Sequence, residues 1–344
     1  MPFPILFEYE CITIAGDTAQ TPLYDPQGVA VDPTGRIVYF TNYKPFIAND
    51  IGSVWMIDQS SGEVTLFAGP GHGAVYKITD MLGPDGITVD KDGNVWVSDN
   101  TWVWMFPPVS PGSAGNPNNV KQYVPAGDTT NSLSFFPYGL AADANGNIYC
   151  ANVGNGGLGE YFYPNLVYIL NEKAESFKPF AGSGPYGFSG DGRAALLAEL
   201  TSPMGVAVDG RGNVYIADTG NNRIREVSMA TNEINTIAGQ SSPGTISETG
   251  PAVDAYLNNP RDVAFDNNGN CLYVAELNRI LKIENGEMSI FAGAASFGPM
   301  SLSAVTVDLS DPTGIDVDLN GNLYIADSGN NRILKVQKKS IFSL

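Results

Sequence analysis

The chain has one histidine, His72, in 344 residues, three cysteines, and no Asn-x-Ser/Thr sequon despite many asparagines. A single imidazole excludes a three-histidine zinc site. It also leaves any Ser-His-Asp relay dependent on one residue flanked by Gly71 and Gly73. Three cysteines make no disulfide framework. Basic residues are scarce: 18 Lys and Arg stand against 36 Asp and Glu, a net charge of −18 that repels phosphate backbones and argues against a nucleic-acid partner. No apolar run approaches the 18 or so residues of a membrane-spanning helix, so no membrane insertion is expected. The opening MPFPILFEYE has neither a basic n-region nor a long apolar h-region, so no signal peptide is visible; the protein either avoids that route or begins at a processed end. Charged residues make up only 16%, with Asn, Gly, Ser and Thr supplying the polarity, which favours an extracellular or cell-surface setting. The missing sequons disfavour a eukaryotic secreted glycoprotein.

What the chain has instead is a repeat. The pattern Pro-x-x-[Val/Ile/Leu]-x-[Val/Ala/Phe]-Asp begins at Pro26, Pro84, Pro137, Pro203, Pro260 and Pro312, spaced 52 to 66 residues apart. In its clearest copy, residues 203–239 hold four short β-branched runs (GVAVD, NVYIAD, RIREV, INTIAG) separated by Asp/Gly/Asn turn signals, which predict a four-stranded antiparallel meander. One meander cannot bury both its faces, so six predict an all-β, six-bladed β-propeller spanning residues 1–344 as a single domain. The last copy lacks a fourth Ile-Ala-Gly or Phe-Ala-Gly run. That run sits at the other end, Cys11-Ile-Thr-Ile-Ala-Gly16, so residues 9–16 are expected to complete the sixth blade and close the ring.

The strings PMGVAVDGRGNVYIADTGNNRIREV at 203–227 and DPTGIDVDLNGNLYIADSGNNRILKV at 311–336 resemble the NHL repeat. The run AGSGPYGFSGDGRA at 181–194 is similar to the bacterial form of that repeat. The resemblance covers nearly the whole chain and is strongest in blades four and six. It implies the propeller fold, and scaffolds that bind protein or RNA and are occasionally catalytic. The acidic charge departs from the RNA-binding members.

Features shared by all six blades read as structural, and features of one blade as functional. The anchor aspartates Asp32, Asp90, Asp143, Asp209, Asp266 and Asp318 each precede a turn glycine and read as turn caps. Asn42, Asp99, Asn152, Asp218, Glu276 and Asp327 end the second strands; they read as loop caps, with a calcium ligand ring as the alternative. Cys11, Cys150 and Cys271 read as buried small hydrophobes. Second–third loops and crossovers lie on one face, called upper here, and their lengths vary: long in blades one and three, short in blade two. A trough over blade two would be walled by Tyr43, Phe46, Trp102, Tyr161, Phe162 and Tyr163, with Lys44 and His72 adding polar contacts, and exposed rings in a concavity suit a glycan or an extended peptide. The alternative is that these rings only pack the loops. Residues 107–119, PPVSPGSAGNPNN, read as a flexible lower loop.

Gly182-Ser-Gly-Pro-Tyr-Gly187 spells GxGxxG but has no helix behind it, so no phosphate cradle is expected. Asp316 stands where the other blades place Ala or Thr, and hydrogen bonding within a blade interface is its simplest role. The leading reading is a non-catalytic scaffold that needs no cofactor and binds a protein or glycan partner through its upper-face loops. The alternative is a calcium-dependent hydrolase or lactonase at the channel mouth, built from Glu276, Asn152, Asn42 and Asp218.

Overall fold

A computed structural model describes residues 9–16, 23–43, 52–70, 73–109, 113–125, 135–154, 164–171, 173–240, 249–266, 268, 270–293 and 305–339. Six sheets radiate from a central channel. Their innermost strands are Pro26–Val31, Ile87–Val89, Pro137–Ala142, Pro203–Val208, Pro260–Asp266 and Pro312–Val317. Each sheet packs both faces against neighbours. The second strands are therefore apolar or buried throughout, as in Val214–Asp218, where every residue is buried, instead of alternating. The hydrophobic clusters lie between blades: one joins Ala217 and Ile224 of blade four to Leu257 and Val274 of blade five, and another joins Tyr324 and Ile333 of blade six to Val29 and Phe40 of blade one.

Blade four is the antiparallel meander expected: Pro203–Val208, Val214–Asp218, Arg223–Val227 and Glu233–Ala238. The sheets differ from a plain four-strand pattern at their rims. Crossover segments add short outer strands, Tyr76–Lys77 parallel to Glu63–Gly69, Arg193–Ala194 beside Glu233–Ala238, and Thr249–Pro251 and Val305–Thr306 on Glu287–Gly293. The crossover backbone thus finds partners along an otherwise open edge.

Closure is as the sequence predicts. Tyr9–Ala15 pairs antiparallel with Arg332–Lys338, from Tyr9 opposite Lys338 to Ala15 opposite Ile333. Gly16 repeats the geometry of Gly239. Both have positive φ, and a Cβ at either would lie 2.3 Å from an asparagine carbonyl, that of Asn331 or Asn222. The Ala-Gly signature therefore marks where a fourth strand crosses tightly over the third.

Turn chemistry follows the same logic. Asp209 Oδ1 accepts from the N–H groups of Arg211 (2.8 Å) and Asn213 (2.9 Å), and Asp32, Asp90, Asp143 and Asp318 repeat this contact with their own turns. Cys150 and Cys271 are buried thiols and Cys11 is half-buried. In the described part of 107–119, Tyr76 donates its hydroxyl to the Pro107 carbonyl at 2.6 Å, and the Gly115 N–H donates to the Val75 carbonyl at 2.8 Å.

Candidate channel-mouth site

Five of the anchor prolines pair across their sheets with the polar residue ending the second strand: Pro26 with Asn42, Pro137 with Asn152, Pro203 with Asp218, Pro260 with Glu276, Pro312 with Asp327. Those polar side chains are clamps. Asn42 accepts from Tyr24 N–H (2.8 Å), Asp99 from Leu82 (3.3 Å), Asn152 from Phe136 (2.7 Å), Asp218 from Thr201 (2.8 Å), Glu276 from Asn258 (2.7 Å) and Asp327 from Ser310 (2.7 Å). Every donor lies one or two residues before an anchor proline, so each clamp holds the incoming crossover to its own blade. Burial raises the carboxyls of Asp99, Asp218 (to about 6) and Glu276 in pKa against these hydrogen bonds. The Arg279 guanidinium pairs with buried Glu276. Arg225, fully buried, binds Asp218 and reaches Asp191 Oδ1 (2.7 Å) and the Ser189 carbonyl (3.1 Å), strapping the Gly184–Leu200 crossover onto blade four. Gly182 and Gly184 finish a strand, Lys178–Gly184, with no helix following to cradle a phosphate.

A second set of contacts joins blade to blade. The side-chain carbonyls of Asn165, Asn222, Asn278 and Asn331 accept from the N–H groups of Ser202, Asn259, Asp311 and Asp25 in the next blade. The last of these (2.7 Å) ties blade six to blade one.

After the proline the ladder register slips in blades one, three, four, five and six, a bulge that re-aims the residues within it. Two things follow. The residue directly after the proline lines the channel: Gln27, Asp85, Tyr138, Met204, Arg261 and Thr313, one per blade. The residue after that is glycine in five blades, because a Cβ there would strike the next blade's backbone, as at Gly86, where it would lie 2.0 Å from the Tyr138 carbonyl. Blade five alone carries Asp262. Its carboxylate bridges to blade six, accepting from Ile315 N–H (2.9 Å) and its own Val263 N–H (2.9 Å). Asp316 bridges the next interface in the same way, to Val31 N–H (2.8 Å) and Val317 N–H (2.8 Å). Burial pushes both carboxyls up to about 7.

The channel holds a cavity of about 290 Å³. At its upper mouth, burial, then the charges of Asp99 and Asp25, raise Asp85 to about 7. Burial and Asp85 raise the Tyr138 phenol to about 12. Burial and Asp311 raise Asp25. Arg261 donates from Nη2 to Asp311 (3.1 Å), while its Nε is buried without a hydrogen-bond partner among the described residues. No group of three or more His, Cys, Asp or Glu side chains placed to hold a metal occurs among the described residues.

Of the expected trough, Tyr43 is half-buried, with its ring edge against the backbone at Gly83, and Trp102 is half-buried against the cluster between blades one and two. Lys44, Phe46, His72, Tyr161, Phe162 and Tyr163 lie outside the described residues. The mouth residues escaped the sequence reading because their position has no shared chemistry. Its variation among otherwise uniform repeats was the available signal.

Comparison with known proteins agrees with this architecture. The Teneurin NHL domain family matches residues 184–343. Teneurin-1 of Mus musculus is 27% identical over 336 residues, covering 92% of this chain and 12% of its own length. The chain thus spans about a tenth of the curated relatives it matches. NHL repeat-containing protein 2 of Bos taurus is 31% identical over 101 residues, 28% of this chain and 14% of its own length. Among solved structures, a structural genomics protein of unknown function from Bacteroides thetaiotaomicron superposes with a TM-score of 0.66 at 16% identity, covering 96% of this chain and 76% of the other, and a gluconolactonase from Xanthomonas campestris with 0.61 at 12%, covering 97% and 91%. At such identities these likenesses concern fold alone. The repeat pattern, the six sheets around one channel, the ring closed by its N-terminal strand and the match to the Teneurin NHL domain family together support an NHL-type six-bladed β-propeller.

Proposed function

We propose that this propeller is a non-catalytic binding module that presents its upper face, around the channel mouth, to a protein partner. The observation that carries the reading is the mouth ring itself: all six blades share the clamp, five the glycine and four the asparagine latch, yet the six place six different side chains, Gln27, Asp85, Tyr138, Met204, Arg261 and Thr313, at one position. Differences confined to one ring on a rigid scaffold are what recognition needs. Tyr43 and Trp102 extend the same face outward over blades one and two, and a glycan is the second ligand class such rings suit. An extracellular or cell-surface setting fits the composition. The competing reading, a calcium-dependent hydrolase, needs Asn42, Asn152, Asp218 and Glu276 free to ligate, and each already accepts a backbone N–H.

The test is partner capture by the intact chain from extracellular protein fractions, in parallel with a glycan array, repeated with Tyr43→Ala and Met204→Ala. Loss of one captured species with either variant, at unchanged melting temperature, supports the reading. Lactone hydrolysis stimulated by added calcium would overturn it, as would capture indifferent to both substitutions.

A further inference from the structure

Resting on the binding-module reading, we infer that the channel mouth receives one cationic side-chain tip, an ammonium or guanidinium of the partner, on the Asp85 carboxylate.

Asp85 differs from the other acids set into the wheel. Asp99 accepts from the N–H groups of Leu82, Thr101 and Trp102 and from the Trp104 indole; Asp262 and Asp316 each hold two backbone N–H groups. The Asp85 main chain is fully engaged, its N–H donating to the Ser98 carbonyl (3.0 Å) and its carbonyl accepting from the Thr41 hydroxyl (2.8 Å). Its carboxylate has no hydrogen-bond partner among the described residues, although it lines the channel. Asp85 is half-buried, so channel water still reaches its carboxylate, but no fixed donor balances its charge; a ligand carrying donors and positive charge supplies both.

The surroundings select the ligand. Asp25 and Asp99 add negative potential at Asp85, while the one cation of the ring, Arg261, is paired with Asp311. Gln27 and Tyr138 supply neutral polar groups on the same ring. A hard metal ion wants six or more oxygen ligands, which this set does not assemble, whereas an ammonium or guanidinium needs one carboxylate and a few neutral acceptors. A cavity of about 290 Å³ is at the small end for ligand sites and suits a side-chain tip. The net charge of −18 would steer a basic surface towards this face.

The probe is Nα-acetyl-lysine methylamide, titrated into the intact chain at low salt and followed by NMR, with the uncharged isostere Nα-acetyl-norleucine methylamide as control. The lysine probe is expected to saturate and the norleucine probe not. Because Asp85 must be ionised to bind, the lysine affinity should be about tenfold weaker at pH 6 than at pH 8, with Asp25, Asp99, Asp311, Arg261 and Tyr138 as the other titratable groups at the mouth. Asp85→Asn, which keeps the side-chain shape, should lose at least tenfold, and Tyr138→Phe should lose less. Equal binding of both probes, absence of saturation by the lysine probe, or undiminished affinity in Asp85→Asn overturns the inference. If Asp85→Asn still captures the protein partner of the upper face, the binding-module reading survives and only the cationic tip is lost.

Discussion

Replacing Asp316 by alanine, the residue found there in four other blades, should lower stability and also change how stability depends on pH. The Asp316 carboxyl titrates at about 7 in the folded chain and near 3.9 when unfolded, because the blade interface withdraws it from water and Asp318 adds negative charge. Between those values the folded state holds a proton that the unfolded state has released. Stability therefore falls as pH rises from about 4 to about 7 and is level outside that window. The steepest slope from one such group is about 1.4 kcal/mol per pH unit, so the pH-dependent part reaches a few kcal/mol at most. Alanine removes that part, but it also leaves the N–H groups of Val31 and Val317 without their acceptors, at about 1–3 kcal/mol each and independently of pH. The variant should thus be clearly weaker than the parent at pH 5, with the gap narrowing by at least about 1 kcal/mol by pH 8. Urea unfolding followed by tryptophan fluorescence at pH 5, 6, 7 and 8 measures this. General repulsion among acidic groups affects both chains alike, so the difference between them isolates Asp316. A constant difference across the series would refute the assignment of a buried, protonated carboxyl.

Removing residues 1–16 should open the ring: the ladder between Tyr9–Ala15 and Arg332–Lys338, at roughly 0.5–1.5 kcal/mol per hydrogen bond, is lost, and a lower melting temperature with aggregation in size-exclusion chromatography is expected. Arg225→Ala leaves Asp218 buried without its cation and unstraps the crossover over blade four; a loss of about 3–5 kcal/mol and new proteolytic cleavage within 184–200 should appear together. Gly86→Ala places a methyl group 2.0 Å from the Tyr138 carbonyl, so it should be among the most damaging single-carbon additions in the protein, read as poor soluble yield or a melting temperature many degrees lower.

Blade number, turn chemistry and ring closure were all legible in the linear chain, because each is local or repeated. An Asp that caps its own turn reaches only two to four residues ahead, and the Ala-Gly signature of Gly16 and Gly239 recurs wherever a fourth strand ends. The glycine after five of the six mouth residues was visible as a repeat, but its reason was not: the atom it avoids belongs to the next blade, more than 50 residues away in every case. Asp262 was hidden for the same cause, since one departure from a repeat looks like noise until its carboxylate is found bridging to Ile315. Tertiary structure alone brought Gln27, Asp85, Tyr138, Met204, Arg261 and Thr313 into one ring. Local turn and strand preferences act over a few residues and survive in the order of the amino acids. A ring of six unlike side chains exists only once the wheel has closed, because no two of its members are neighbours in the chain.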